Sequence, residues 1–327
     1  MEYRRLGKTG YEISAIGFGA WAIGADWGTV NDADSLAALH AAADAGINFI
    51  DTADVYGDGH SEQIISRFLK ERAGERIYVA TKMGRRVEQK VESYTPEAFV
   101  AWTNRSRENL GMETLDLVQL HCPPTDLFYH PELFAACDEL VANGAIAHYG
   151  VSVEKVEEAV KAMEYPGVAS VQIVFNMVRQ RPADHFLAAA LAIDVGVLAR
   201  VPLASGLLTG KYDKASTFAE NDHRNYNRSG AAFDVGETFA GLDYETGLEF
   251  VAAVGDLAPE GATTAQLALR WILMHEGVTA AIPGAKSPEQ ARANAAAADL
   301  APLSDDVMAG VTKLYEQYAK PLVHQRW

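Results

Sequence analysis

The chain has 327 residues, 49% of them hydrophobic and 22% charged, enough apolar material for a sizeable core and nothing that marks a disordered chain. With 28 Lys and Arg against 44 Asp and Glu, the formal net charge is -16, a balance that repels nucleic acid and anionic membrane surfaces, so neither is expected as a partner. Two cysteines, Cys122 and Cys137, are too few for a disulfide framework; with no signal-like N-terminus and no run near the ~18 apolar residues of a membrane span, they point to a reducing cytoplasm.

In chain order, "YRRLG" and "YEISAIG" flank the turn residues Lys8, Thr9 and Gly10, which predicts a small β-hairpin able to cap the bottom of a barrel. Eight short β-branched or apolar runs follow: "SAIGFG", "INFID", "IYVATK", "LDLVQLH", "IAHYGV", "SVQIVF", "VGVLARV" and "TAAIPG". Helical periodicity fills the spaces between them, over 32–43, 61–71, 96–110, 131–143, 154–162 and 183–193, with stops at Ala45-Gly46 and Asn143-Gly144. Eight βα units in series predict an α/β fold of the (β/α)8 barrel type, one domain over 1–327. One connection departs from this rhythm. The segment from 203 to about 238, after the seventh strand, is long, aperiodic and rich in Gly, Asn, Asp and Arg, which predicts a functional loop. A closing helix is expected over 305–318.

Four polar groups fall at or just after predicted strand ends: Asp51 and Tyr56 in "NFIDTADVYGDGHSE", Lys82 in "IYVATKMG" and His121 in "LDLVQLHCPP". Taken singly, each is as well explained by capping or packing. Taken together, three consecutive strands deliver them to the C-terminal rim, where a barrel's chemistry sits. A phenol has an unperturbed pKa of ~10; an ammonium beside it favours the phenolate, and a carboxylate beside the ammonium holds that charge in place. His121 would orient or polarise a carbonyl. The set therefore predicts a proton donor for carbonyl reduction. No metal is expected, because the remaining histidines make no ligand spacing and "GFGAW" lacks the H-x-H that a zinc barrel hydrolase commonly carries at its first strand. The segment "PLASGLLTGK", with Gly206 for close backbone approach and Lys211 for charge, suits a pyrophosphate. "IPGAKSPEQARAN" places Gly, Lys and Ser at a helix N-terminus, a ready anion site.

These motifs, with "ATKMG", "GVSV" and "VPLASGLLTGK", resemble the aldo-keto reductase superfamily over nearly the whole chain, and are similar to its bacterial inositol-related and general-stress branches. The resemblance implies hydride exchange between NADP(H), or NAD(H), and an aldehyde, ketone or sugar carbonyl, with Asp51, Tyr56, Lys82 and His121 as the tetrad and Tyr56 as general acid and base. It puts Ala20, Trp21 and Asp51 beside the nicotinamide end, and Ser152 and Gln172 on its carboxamide. Pro202, Leu203, Gly206, Lys211 and Arg224 would hold the pyrophosphate, and Gly284, Lys286, Gln290 and Asn294 the adenosine end, Lys286 meeting a 2′-phosphate. Trp21, Trp27, Tyr56, His121, the loop "CPPTDLFYH" and the C-terminal "VHQRW" would wall the substrate pocket. Two positions depart from many relatives: Val153 replaces an Asn, and Arg200 stands where an aromatic stacks on the nicotinamide, so it is expected to stack itself or bond the phosphates. The rival functions are a cofactor-sensing binding subunit, as in the potassium-channel β subunits, and a metal-dependent barrel hydrolase. Substrate and oligomeric state are not readable.

Overall fold

Tyr3–Arg5 (β1) and Glu12–Ser14 (β2) pair antiparallel, Tyr3 opposite Ser14, around a turn in which Gly10 takes a φ of 69°. This is the expected hairpin. Leu6 and Ile13 are buried in one cluster with Phe49, Ala80, Leu117 and Leu198 of the main sheet, so the hairpin plugs one end of it. The structure, a computed structural model, describes residues 1–24 and 31–327.

The main sheet contains Phe18–Gly19 (β3), Phe49–Asp51 (β4), Tyr78–Met83 (β5), Leu115–His121 (β6), Ile146–Ser152 (β7), Val168–Val174 (β8), Gly196–Arg200 (β9) and Ala280–Ala281 (β10). All pair parallel in chain order. Parallel bridges from Ile16 to Ala281 and from Gly19 to Gly284 bring the first strand back to the last, closing a (β/α)8 barrel. Each strand lies within a run read from the sequence or extends it by a residue or two. β3 and β10 each keep two residues of their runs, and at β10 Pro283 has no N–H to continue the ladder.

Helices surround the barrel where periodicity placed them. Thr95 caps Pro96–Leu110 by accepting from the Ala98 N–H, and Gly111 ends it at φ 66°. Buried Leu39, Ile65, Phe68, Phe99, Phe134 and Trp271 belong to the large apolar cluster of the barrel and its helices. The fifth predicted helix starts later than expected, at Val156, because the Glu158 carboxylate accepts the N–H groups of Glu154 and Lys155 and makes them its cap. The sixth is reduced to Phe186–Ala192 after a turn at Arg181–Ala183. Tyr244–Gly255 and Thr264–Leu273, the latter with a Thr263/Gln266 capping box, were not among the ranges read from the sequence. The closing helix Asp305–Leu314 runs through a π turn, Tyr315–Ala319, into Lys320–Val323. Between β9 and Tyr244 the chain forms only short turns, Ala204–Thr209, His223–Tyr226, Val235–Glu237 and Phe239–Gly241. No helix among the described residues is long and apolar enough to cross a membrane.

Candidate active site

The barrel register brings three of the four strand-end groups together. Asp51 ends β4, Lys82 lies opposite Gln119 of β6, and His121 lies opposite Ser152, which in turn faces Gln172 of β8. Tyr56 arrives from the loop after β4 through a left-handed run, Gly57 (φ 59°), Asp58 (φ 55°) and Gly59 (φ 96°). Arg105 fixes that run by donating to the Asp58 carbonyl at 2.6 Å and carboxylate at 3.0 Å. A Cβ on Gly57 would lie 2.4 Å from the Gly24 carbonyl oxygen, so only glycine lets the loop pack this closely.

Lys82 Nζ donates to Asp51 Oδ1 (2.6 Å), the Thr52 carbonyl (2.8 Å) and Tyr56 Oη (3.3 Å). The other Asp51 oxygen accepts from Gln172 Nε2 (2.7 Å) and Gln119 Nε2 (3.3 Å). The His121 ring meets Tyr56 edge-on with centroids 5.9 Å apart, and Trp21 stacks on the same phenol at 6.0 Å. Burial pushes the Tyr56 pKa above the usual phenol value; the Lys82 charge opposes this, and the Asp51 and Glu237 charges add to it. The pull toward phenolate expected of Lys82 is thus present but outweighed, and the phenol holds its proton at neutral pH. For Lys82 itself, burial works against the charge, but Asp51 and Tyr56 outweigh it and raise its pKa. His121 is held well below the usual imidazole range by burial, then by the Arg85 and Lys82 charges. Its buried Nδ1 has no hydrogen-bond partner among the described residues.

A cavity of about 400 Å³ opens beside these groups and runs along the ends of the later strands. Trp21, Asp51, Tyr56, His121, Ser152 and Gln172 line one part of it, with Arg200, Pro202 and Leu203 also in its wall. Gly206, Lys211 and Arg224 line it as well, as do Gly284, Lys286, Gln290 and Asn294. Lys82 stands outside that lining, bonded to two residues that form it. Ala20 is fully buried, its N–H given to the Asp51 carbonyl and its carbonyl accepting from Ser61 Oγ, and it is not in the lining either. Trp27 lies outside the described residues. The loop after β6 buries Leu127 and Phe128 elsewhere. Trp327 also stands outside the lining: it bonds Asp234 Oδ1 through its indole N–H (2.9 Å), under the Arg179 guanidinium, 4.0 Å from its ring centroid.

At the basic end, Gly206 takes a φ of 88°, and a Cβ there would meet the Tyr212 hydroxyl at 3.1 Å. Arg224 is held by the Asp222 carboxylate through Nε (2.8 Å) and Nη2, and donates to the Tyr212 hydroxyl. Burial, with the charges of Arg224 and Lys211, depresses the Lys286 pKa, so the cations crowd one another there. An anion would relieve that crowding. Gln290 Oε1 accepts the Lys286 N–H at 2.8 Å, and Asn294 Nδ2 donates to the Gly284 carbonyl at 3.2 Å, which shapes this rim. Left-handed backbone recurs beside the site at Cys122 (φ 46°), Val201 (φ 51°), Ala204 (φ 46°) and Ser205 (φ 56°), and the β-branched Val201 is the most costly of these.

Sequence reasoning missed a buried charge cluster in the cavity wall. Arg200 Nη2 donates to the Val153 carbonyl and to Glu154 Oε2, both at 3.0 Å, and Nη1 lies 3.6 Å from Glu237 Oε1. Arg85 donates to the same Glu237 oxygen at 2.8 Å. Glu237 comes from the irregular segment, lines the cavity and bridges to a residue 152 positions away. Nothing local in the sequence marks it. Cys122, Glu154 and Glu237 also offer ligand atoms within 4.8 Å of one another, but both carboxylates already face guanidinium groups.

Residues 15–316 match the model of the aldo/keto reductase family. The chain is 31% identical over 299 residues to the aldo-keto reductase YhdN of Bacillus subtilis, covering 90% of this chain and 87% of that one. It is 29% identical over 321 residues to a probable voltage-gated potassium channel subunit beta of Arabidopsis thaliana, with 93% of each covered. Among solved structures, a glycerol dehydrogenase of Gluconobacter oxydans superposes with a TM-score of 0.79 at 28% identity, over 100% of this chain and 98% of that one. The chain belongs to the aldo/keto reductase family.

Proposed function

We propose that the protein is an NADP(H)-dependent oxidoreductase that interconverts a carbonyl (aldehyde, ketone or sugar) and its alcohol within one barrel unit, without a metal. The observation that carries this is the contact set of Lys82: 2.6 Å to Asp51 and 3.3 Å to a buried, protonated Tyr56, beside a cavity whose lining also gathers Lys211, Arg224 and Lys286. The cofactor, when bound, supplies or accepts the hydride. Tyr56 gives its proton to the developing alkoxide, and Lys82 stabilises the phenolate left behind. Neutral His121 steadies the carbonyl oxygen with a ring N–H without competing for that proton. Gln172, its amide nitrogen already given to Asp51, offers Oε1 to the nicotinamide carboxamide. The left-handed Gly206 and the nearby cations suit phosphates, and Lys286 suits a 2′-phosphate, which favours NADP(H) while leaving NAD(H) usable. The two free thiols fit a reducing compartment.

Loss of reduced-nicotinamide absorbance on mixing protein, NADPH and a panel of carbonyl compounds tests this reading. Turnover is expected to be abolished by Tyr56→Phe and untouched by chelators; NADPH turnover that is abolished by chelators and untouched by Tyr56→Phe refutes it. Similarity to a probable potassium channel β subunit supports a second reading, a cofactor-sensing subunit. Stopped-flow mixing separates the two, since a sensor leaves bound NADPH reduced when carbonyl compounds are added.

A further inference from the structure

The charge cluster in the cavity wall has a consequence for the cofactor that rests on the reductase reading. If the carbonyl meets Tyr56 and His121, the redox-active ring of the cofactor must lie beside them, against the cavity-lining ends of β7, β8 and β9. Those ends carry Ser152, Gln172 and Arg200. Arg200 is 7% exposed, and Glu154, Glu237 and the Val153 carbonyl hold its terminal nitrogens. Its Nε is buried with no acceptor among the described residues, although the residue lines the cavity. A fixed cation therefore stands in the wall of the place where the ring has to sit.

The charges around it do not cancel. Arg85 and Arg200 stand against Glu154 and Glu237, while the Arg179 charge is offset by Asp234 beside it. Opposing carboxylates hold Arg85 and Arg200 charged despite burial, and Arg179, pushed down to about 9 by burial, is still charged at neutral pH. Burial pushes Glu154 up to about 7, so it keeps a good part of its proton there, whereas Arg85 and Arg200 hold Glu237 ionised against burial. The neighbouring Cys122 thiol and His121 ring are neutral, and Asp51 and Lys82 offset each other. The wall is net positive.

The oxidised nicotinamide ring carries a positive charge and the reduced ring carries none, while the phosphates and riboses are the same in both. We propose that Arg200 makes this site discriminate between the redox states of its cofactor, holding the reduced form and expelling the oxidised one. Bound NADPH is retained until a carbonyl arrives, and release of NADP+ after hydride transfer, a step that often limits turnover, is hastened. A bare unit charge ~5 Å from the ring at an effective dielectric of ~20 would bias the two forms by roughly three hundredfold; partial cancellation by Glu237 and Glu154 reduces this to about tenfold.

Calorimetric or tryptophan-fluorescence titration of the full chain with NADP+ and with NADPH, at pH 7 and without substrate, reads the effect as a ratio of dissociation constants. The wild type is expected to bind NADPH about tenfold more tightly. Arg200→Gln should bring the ratio near unity, Arg200→Lys should keep it, and Glu237→Gln, which removes the opposing anion, should widen it. Equal affinities in the wild type overturn the proposal, as do ratios within twofold of the wild type in both Arg200→Gln and Glu237→Gln. Should Arg200→Gln fail to fold, the wild-type ratio and Glu237→Gln decide. Absence of saturable binding of either form by the wild type overturns the reductase reading and this inference with it, whereas binding of both with an unmoved ratio overturns this inference alone.

Discussion

Replacing Lys82 by Met exchanges a buried ammonium for an apolar chain of similar length. The lost group lies 3.3 Å from the Tyr56 hydroxyl. At an effective dielectric of ~20 that separation is worth ~5 kcal/mol to a phenolate, an upper bound because the Asp51 charge, bonded to the same ammonium, cancels part of it. The phenol, its pKa already raised by burial, then becomes a much poorer acid, and kcat for carbonyl reduction at saturating NADPH should fall by roughly 10² to 10⁴-fold. Folding suffers separately. Asp51 keeps its bonds to Gln172 and Gln119 but loses its counter-charge, which costs ~3–5 kcal/mol of unfolding free energy, read by urea titration. The double variant Asp51→Asn/Lys82→Met removes both charges and should recover most of that stability without recovering turnover. A single variant within tenfold of wild-type kcat, or a double variant that regains activity, would refute the assignment of Lys82 to the chemistry.

Asp54 is fully buried with both carboxylate oxygens unpartnered among the described residues, and burial together with the Glu62 charge pushes its pKa up to about 7. A raised carboxyl pKa makes the folded state lose stability as pH rises between about 4 and 7, so Asp54→Asn should stabilise the protein at pH 8 by up to roughly 4 kcal/mol, seen as a higher Tm, and leave it unchanged near pH 4; equal effects at both pH values would sink the argument. Gly57→Ala adds a Cβ 2.4 Å from the Gly24 carbonyl oxygen at a φ of 59°, and should cost ~1–3 kcal/mol and lower kcat by displacing Tyr56. Gly261→Ala, at φ 80° with nothing within 4 Å, is its control, with a small stability loss and no change in kcat. Because burial keeps His121 neutral, His121→Gln should lower kcat by roughly 10² while the pH profile between 5 and 8 keeps its shape; a lost limb in that range would show that the imidazole titrates there.

What could be read before folding was whatever has a local cause. β-branched runs between periodic stretches fix a barrel, since each buried parallel strand needs an apolar run and each helix an amphipathic one, and all eight strands fall inside or within a residue or two of those runs. Asp51, Lys82 and His121 were readable for the same reason, as polar residues interrupting or ending apolar strands. Ala20 shows the limit: its sequence neighbours are in the cavity wall, yet its own backbone is spent on Asp51 and Ser61. The irregular segment after β9 was recognisable only by its lack of period. That lack says nothing about where its residues go, and Glu237 reaches Arg85 across 152 positions.

Arg200 shows how a correct identity can carry an open role. On paper a guanidinium in place of an aromatic ring can either stack on the nicotinamide or reach for the phosphates. The contacts favour the ring. Glu154, Glu237 and the Val153 carbonyl take its terminal nitrogens, and freeing them to reach a phosphate would strip buried Glu154 and the Val153 carbonyl of their close donor and leave Glu237 to Arg85 alone, a loss that no single exposed phosphate contact offsets. Val153, the other departure, belongs to the same device: an apolar side chain at that position is fully buried, and its carbonyl accepts from Arg200. Because that bond goes to backbone, Val153→Asn leaves it in place, and Val153→Asn and Arg200→Tyr should lower thermal stability by amounts that add. A double-variant effect departing from the sum by more than about 0.5 kcal/mol would show that the Val153 side chain itself helps to hold Arg200.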